Sequence, residues 1–224
     1  MKLSELLSIR PGITALAGSG GKTTALYLLA NELQPLGTVL CTTTTHIHPP
    51  SHIPLFTTAP TRQALSSSLR CHRCLCLGTP AGHGKLSAPL IPIHCLAELA
   101  DYVLVEADGS RGLPLKAHLP YEPVIPPGTA QTILLAGASG FHRPAREAVH
   151  HPDLFCSLAG ITPQTPITAQ HVAAVLLYEN LGDKIFINQV ENSGEADQAR
   201  LLASLLPRPV FAGSLKGEHW ICLS

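Results

Sequence analysis

The sequence predicts an α/β fold, a mostly parallel β-sheet flanked by helices, on three observations. A short apolar run, Ile13-Thr14-Ala15-Leu16-Ala17, ends in glycines and is followed by a helical pattern. Strand-like and helix-like segments alternate in the first and last thirds of the chain, as in βαβ units. A second apolar run, Tyr102 to Val105, closes on Glu106-Ala107-Asp108-Gly109. One domain over residues 1–224 accommodates them, with 139–180 as a candidate helical insertion.

Residues 13–17 read as a buried strand because the run is short, apolar and closed by glycine. Leu26, Leu29, Ala30 and Leu33 share one helical face, and Pro35 and Gly37 stop that helix. Thr38–Cys41 reads as a strand running into Thr42–Thr45, after which Pro49, Pro50 and Pro54 mark a loop. A short helix is expected over 61–69. Strands are expected over 75–78 and 86–91, joined by the glycine-rich turn 80–84. Residues 102–106 form the next strand, the proline-rich stretch 113–128 has no periodicity, and 132–136 is again a strand. Two helical patterns occupy 145–178, the second capped by Thr168. A strand at 184–188, a helix at 195–206 and a last strand at 209–212 complete the chain.

Composition narrows the function. Lysine plus arginine and aspartate plus glutamate are equal at 15 each, so no net field favours nucleic acid or an anionic membrane. No run approaches the roughly 18 apolar residues that span a bilayer. The apolar stretch of the N-terminus is short and holds Glu5 and Arg10, a poor signal peptide. A cytoplasmic location is expected, with the seven cysteines reduced and their odd number arguing against a disulfide framework.

The strongest motif is Gly18-Ser19-Gly20-Gly21-Lys22-Thr23-Thr24, between the first strand and the first long helix. Glycines let main-chain N–H groups converge on an anion, and a helix N-terminus adds its positive dipole end. In this P-loop reading Lys22 reaches the β- and γ-phosphates of ATP or GTP, and the Thr23 hydroxyl ligates Mg²⁺. The bland alternative is a glycine-rich turn without a ligand. The usual spacing would need glycine at position 16, which is Leu16, so the loop is closer to the short form of the Mur ligase family. A P-loop enzyme needs a carboxylate on a nearby strand end, and strand alternation puts Glu106 and Asp108 on one side. Hydroxyls of Thr42–Thr45 at a sheet edge suit a metal shell, although threonine also simply favours strands. Asn188-Gln189-Val190-Glu191 resembles the N-K-x-D base-reading element of G-proteins, with Asn188 kept and the lysine and aspartate replaced. Adenine or guanine stays open. Cys71-His72-Arg73-Cys74-Leu75-Cys76 holds half a zinc site, with Cys95, His83 and His94 as further donors, but buried thiols at a helix–strand junction are the preferred reading.

GSGGKTT at 18–24, CTTTTHIHPP at 41–50, VEADGSRGLPLKA at 105–117, YEPVIP at 121–126, VHHPD at 149–153 and PIT at 166–168 together resemble one family, the selenium-dependent hydroxylase accessory proteins known as YqeC. The resemblance implies a P-loop NTPase-like fold and a role in maturing selenium-dependent molybdenum hydroxylases. It carries over to Lys22, Thr23, Thr43, Thr44, Glu106, Asp108 and Lys116. In the resulting scheme Lys22, Glu106, Asp108 and Lys116 are catalytic. Gly18 through Thr24 and Asn188 bind nucleotide, and Thr23, Thr43, Thr44 and Asp108 serve the metal. Asp108 helps position Mg²⁺, Glu106 orients the nucleophile, and Arg111, Lys116 or Arg143 neutralises charge on the transferred group. Where the family pattern is H-R-P-E this chain has His150-His151-Pro152-Asp153, so an arginine is missing and Phe141-His142-Arg143-Pro144 could supply it. The alternatives are a ligase or kinase with a small acceptor, and a nucleotide-dependent switch or chaperone docking on a hydroxylase through 113–128.

Overall fold

The computed structural model describes residues 1–50, 52–57 and 61–224, so residue 51 of the proline loop lies outside the described residues. The chain divides into two compact units, each assembled from separate segments. The first holds residues 1–16, 23–108 and 124–131; the second holds 17–22, 109–123 and 132–224. The fold class is the α/β one expected, with mostly parallel strands and flanking helices.

In chain order the elements up to residue 106 are α1 (Leu3–Leu6), β1 (Gly12–Gly18), α2 (Lys22–Leu33), β2 (Val39–Thr43), β3 (His46–Ile47), β4 (Leu55–Phe56), α3 (Arg62–His72), β5 (Cys74–Leu77), β6 (Thr79–Ala81), β7 (Lys85–Ser87), α4 (Ile93–Leu96) and β8 (Tyr102–Glu106). In the first unit strands β1, β8, β2, β5 and β4 lie side by side in that order, all parallel. Parallel strands covered on both faces need continuous apolar sequence, and Val39–Thr43 and Tyr102–Glu106 are buried at every residue. Ile13, Leu40, Leu75, Val103 and Val105 pack there with Leu65 and Leu69 of α3. Thr61 caps α3 by accepting from Ala64 N at 3.1 Å. The Glu32 carboxylate accepts from Leu3 N and Ser4 N at 3.0 and 2.7 Å and satisfies the start of α1. The expected strand over 86–91 is shorter, Lys85–Ser87, and pairs antiparallel in a separate three-stranded sheet with β3 and β6. Pro89 has no N–H to give a ladder and ends it.

The remaining elements are β9 (Leu115–Lys116), β10 (Thr129–Gly137), α5 (Ala145–Ala148), β11 (Val149–His150), α6 (Pro152–Ala159), α7 (Ala169–Glu179), β12 (Lys184–Asn188), α8 (Ser193–Ser204), β13 (Val210–Ser214) and β14 (His219–Cys222). In the second unit β10, β12 and β13 are parallel and β14 is antiparallel to β13. Its core joins Leu134, Ile185 and Ile187 of the strands to Phe155, Val172 and Leu202 of the helices. The helices of 139–180 therefore share the core of β10 and β12.

Three expectations change here. The stretch 145–178 holds three helices, because Pro152 starts α6 after a one-turn α5, and Gly160 closes α6 in the left-handed conformation. The aperiodic stretch 113–128 carries β9, paired with β11. The strand expected as the last, at 209–212, is followed by one more, β14. It lies so close to β13 that a Cβ on Gly213 would meet Trp220 Cα at 2.6 Å. Among the described residues no helix is long and apolar enough to cross a membrane.

A buried polar pair fixes loop 117–122 to α7. Glu179 accepts from His118 N at 2.6 Å and lies 2.8 Å from His118 Nδ1, with both side chains nearly inaccessible. Glu179→Ala removes both acceptor oxygens, and an unmatched buried donor is costly. Stability should fall by about 2–4 kcal/mol. Urea denaturation followed by circular dichroism checks it through a lower midpoint at unchanged slope.

Candidate functional site

The GSGGKTT turn joins β1 to α2 and is built so that only glycine fits. Gly20 has φ 78°, and a Cβ there would meet Gly137 N at 2.6 Å; at Gly21 (φ 130°) it would meet Asn188 Nδ2 at 2.3 Å. Both the left-handed backbone and the close approach exclude a side chain. Asn188, at the end of β12, holds the turn in place. Its Nδ2 donates to Gly20 O at 2.6 Å and its Oδ1 accepts from Leu215 N at 2.9 Å. Both ends of the amide thus bind main chain, so Asn188 positions the loop.

Ser19 is also committed to protein: its N–H donates to Leu135 O at 2.9 Å and its hydroxyl donates to Leu113 O. Lys22 opens α2 and is 3% exposed. Its Nζ donates to Gly18 O at 2.5 Å and to Ser110 Oγ at 3.2 Å. The ammonium is therefore folded back onto the loop that carries it. Thr24 is exposed on the first turn of the helix.

The oxygen-rich group lies in the first unit. Thr23 Oγ1 donates to Glu106 Oε2 at 2.7 Å. Asp108 is fully buried. Thr43 Oγ1 donates to Glu106 O at 2.9 Å and accepts from Thr45 N at 2.9 Å, which ties the end of β2 to the end of β8. Thr42 Oγ1 likewise donates to Leu77 O at 2.8 Å. Of the two threonines singled out for the metal, Thr43 is engaged by main chain, whereas the buried Thr44 Oγ1 has no hydrogen-bond partner. Mg²⁺ takes hard oxygen ligands, usually one or two carboxylates besides water and phosphate oxygens. Thr23, Thr44 and the Glu106 carboxylate fit that preference.

Lys116 is placed differently from a free catalytic cation. Its side chain is 1% exposed, and Nζ pairs with Glu122 Oε2 at 2.9 Å and donates to Gly109 O at 2.7 Å. It orders the loop that follows Asp108. His151 Nε2 lies 3.6 Å from the same Glu122 oxygen, and the His150 and His151 rings are 3.9 Å apart. Burial, reinforced by His151, Lys116 and Arg111 and opposed by Glu122, pushes the His150 imidazole down to about 4. Arg143 donates to Glu147 O at 3.3 Å on the surface.

In the N-Q-V-E element Gln189 Oε1 accepts from Ser139 Oγ at 2.6 Å and Glu191 Oε1 from Ser214 Oγ at 2.7 Å. Among the described residues no group of three or more His, Cys, Asp or Glu is placed to hold a metal. Cys71 is exposed at the end of α3, while Cys74 and Cys76 are buried in β5. A hydrogen bond to Cys74, then burial, holds the Cys41 thiol well above its ordinary range, and burial pushes Cys76 up to about 12. The same hydrogen bond from Cys41 holds the Cys74 thiol below its ordinary range, against its burial. The His118–Glu179 pair and the Lys116–Glu122–His151 chain had no signature in the sequence, since their partners are 61, 6 and 29 positions apart.

A family model described as YqeC protein matches residues 14–153, which span the turn, β2, β8 and the paired histidines. The Escherichia coli (strain K12) protein YqeC is 34% identical over 175 residues, covering 75% of this chain and 68% of its own length.

Proposed function

The chain belongs to the YqeC family, and on that premise we propose that it binds a nucleoside triphosphate with Mg²⁺ through Gly18–Thr24 and hydrolyses it or transfers its terminal phosphoryl group. Family membership supports a role related to selenium-dependent hydroxylases, and the nucleotide step is proposed to serve maturation of a molybdenum hydroxylase or its cofactor.

One observation carries the reading: the Lys22 ammonium is buried on the carbonyl of Gly18 at 2.5 Å, inside a turn whose glycines admit no Cβ. An anionic phosphate oxygen accepts a charge-assisted hydrogen bond from an ammonium more strongly than a neutral carbonyl does. Main-chain N–H groups of Gly20, Gly21 and the first turn of α2 would surround the β-phosphate. Mg²⁺, when bound, neutralises charge on the β- and γ-phosphates. Thr23 would hold it, with Glu106 accepting a hydrogen bond from the Thr23 hydroxyl and Thr44 offering a further oxygen. The hydrogen bond from Thr23 supports Glu106 as the carboxylate nearest the metal, the role first given to Asp108. Lys116 and Asn188 act by holding loops in place.

Calorimetric titration of the protein with ATP and with GTP, each with and without Mg²⁺, tests the reading. Saturable binding that tightens with Mg²⁺ is expected for at least one nucleotide. Absence of binding to both at millimolar concentration would overturn it.

A further inference from the structure

We propose that the second unit carries a separate pocket for a small phosphate-bearing anion, framed by Arg111, Arg146, His150 and His151. This goes beyond the nucleotide reading and does not depend on it.

The pocket is a cavity of about 500 Å³, inside the range of small-molecule sites. Arg111 and Arg146 enter it from the loop after Gly109 and from α5; His150 and His151 close it between β11 and α6. Leu113, Leu119 and Leu154 supply apolar wall. A phosphate oxyanion suits this set, because guanidinium groups present paired donors and imidazoles add single ones.

The charges around the cavity leave it receptive to an anion. Lys116 pairs with the partly buried Glu122 carboxylate at 2.9 Å and offsets its repulsion of an anionic ligand. Arg146 touches Glu147 only through Nε, at 3.5 Å. Among the described residues the Arg111 guanidinium makes no ion pair or hydrogen bond. Asp153 is the one acid in the lining, and it is exposed. Burial and these cations hold His150 neutral, so an anion placed among them would restore its proton. Two residues of the wall also have left-handed backbone, Arg111 (φ 50°) and His151 (φ 65°). Such strain in non-glycine residues is kept where the surroundings demand a particular side-chain direction. The arginine facing the paired histidines is Arg146, three positions beyond Arg143.

The test is a titration of histidine-labelled protein, without nucleotide or Mg²⁺, with inorganic phosphate and separately with glycerol phosphate. The His150 and His151 ring resonances are followed by NMR in the wild type and in Lys22→Ala. Saturable shifts in both proteins, with the His150 pKa raised, are expected. Arg111→Ala and Arg146→Ala should each weaken binding by about tenfold or more. Both arginines are exposed, so their truncation spares the core. Tighter binding of glycerol phosphate marks esterified phosphate as the ligand class; tighter inorganic phosphate marks the free ion. Either order supports the pocket. Shifts that fail to saturate, that vanish in Lys22→Ala, or that persist unchanged in both arginine variants would overturn it. Loss of nucleotide binding in Lys22→Ala with these shifts intact separates this pocket from the Gly18–Thr24 loop.

Discussion

Lys22→Ala is expected to weaken nucleotide binding by about 100-fold or more, because charge-assisted hydrogen bonds to phosphate are the strongest contacts the loop can make. Turnover should fall further, by about a thousandfold, since the same ammonium would face charge that grows on the transferred group. The protein itself should stay folded. Lys22 sits at the first position of α2, where its main-chain N–H has no helical partner, and its side chain contacts the Gly18 carbonyl and Ser110. Calorimetry with the better-bound nucleotide, alongside thermal denaturation, separates the two effects. Wild-type affinity in a folded Lys22→Ala protein would count decisively against the P-loop reading.

Glu106→Gln should leave metal-free nucleotide binding nearly intact and abolish the Mg²⁺-dependent gain. The amide can still accept from Thr23 Oγ1, as the carboxylate does at 2.7 Å, so the local geometry survives while the charge is lost. Turnover is expected to drop by about 10²–10⁴-fold, the range for losing a positioned carboxylate acting on metal or nucleophile. Release of inorganic phosphate measured across a Mg²⁺ series is the check. Asp108→Asn measured beside it assigns the roles. A larger loss in Asp108→Asn at unchanged Mg²⁺ dependence in Glu106→Gln would return the metal to Asp108.

The elements most legible in the sequence were those whose composition alone fixes them. Ile13–Ala17, Tyr102–Glu106 and Lys184–Asn188 are short apolar runs with abrupt polar ends, and each is a parallel strand of its own unit. The helix from Lys22 was visible because Pro35 and Gly37 follow its apolar face. Less legible were elements created by tertiary pairing. Residues 115–116 form a strand only because 149–150 lie alongside, and 219–222 only because Gly213 lets a backbone come close. At the candidate site, residue types were readable and their engagements were not. Nothing in CTTTTH distinguishes Thr43, bonded to the Glu106 carbonyl, from Thr44, whose hydroxyl is left alone. The pairing of Lys116 with Glu122, six residues away across a turn, is specified by no local pattern.

The side-chain bridge from Asn188 to Gly20 and Leu215 has an evolutionary corollary. A residue whose amide is engaged by main chain at both ends answers to selection on loop shape. In a saturation-mutagenesis screen for function, position 188 would tolerate almost nothing. Positions 189 and 191, whose side chains accept from serine hydroxyls, would accept more replacements than 188.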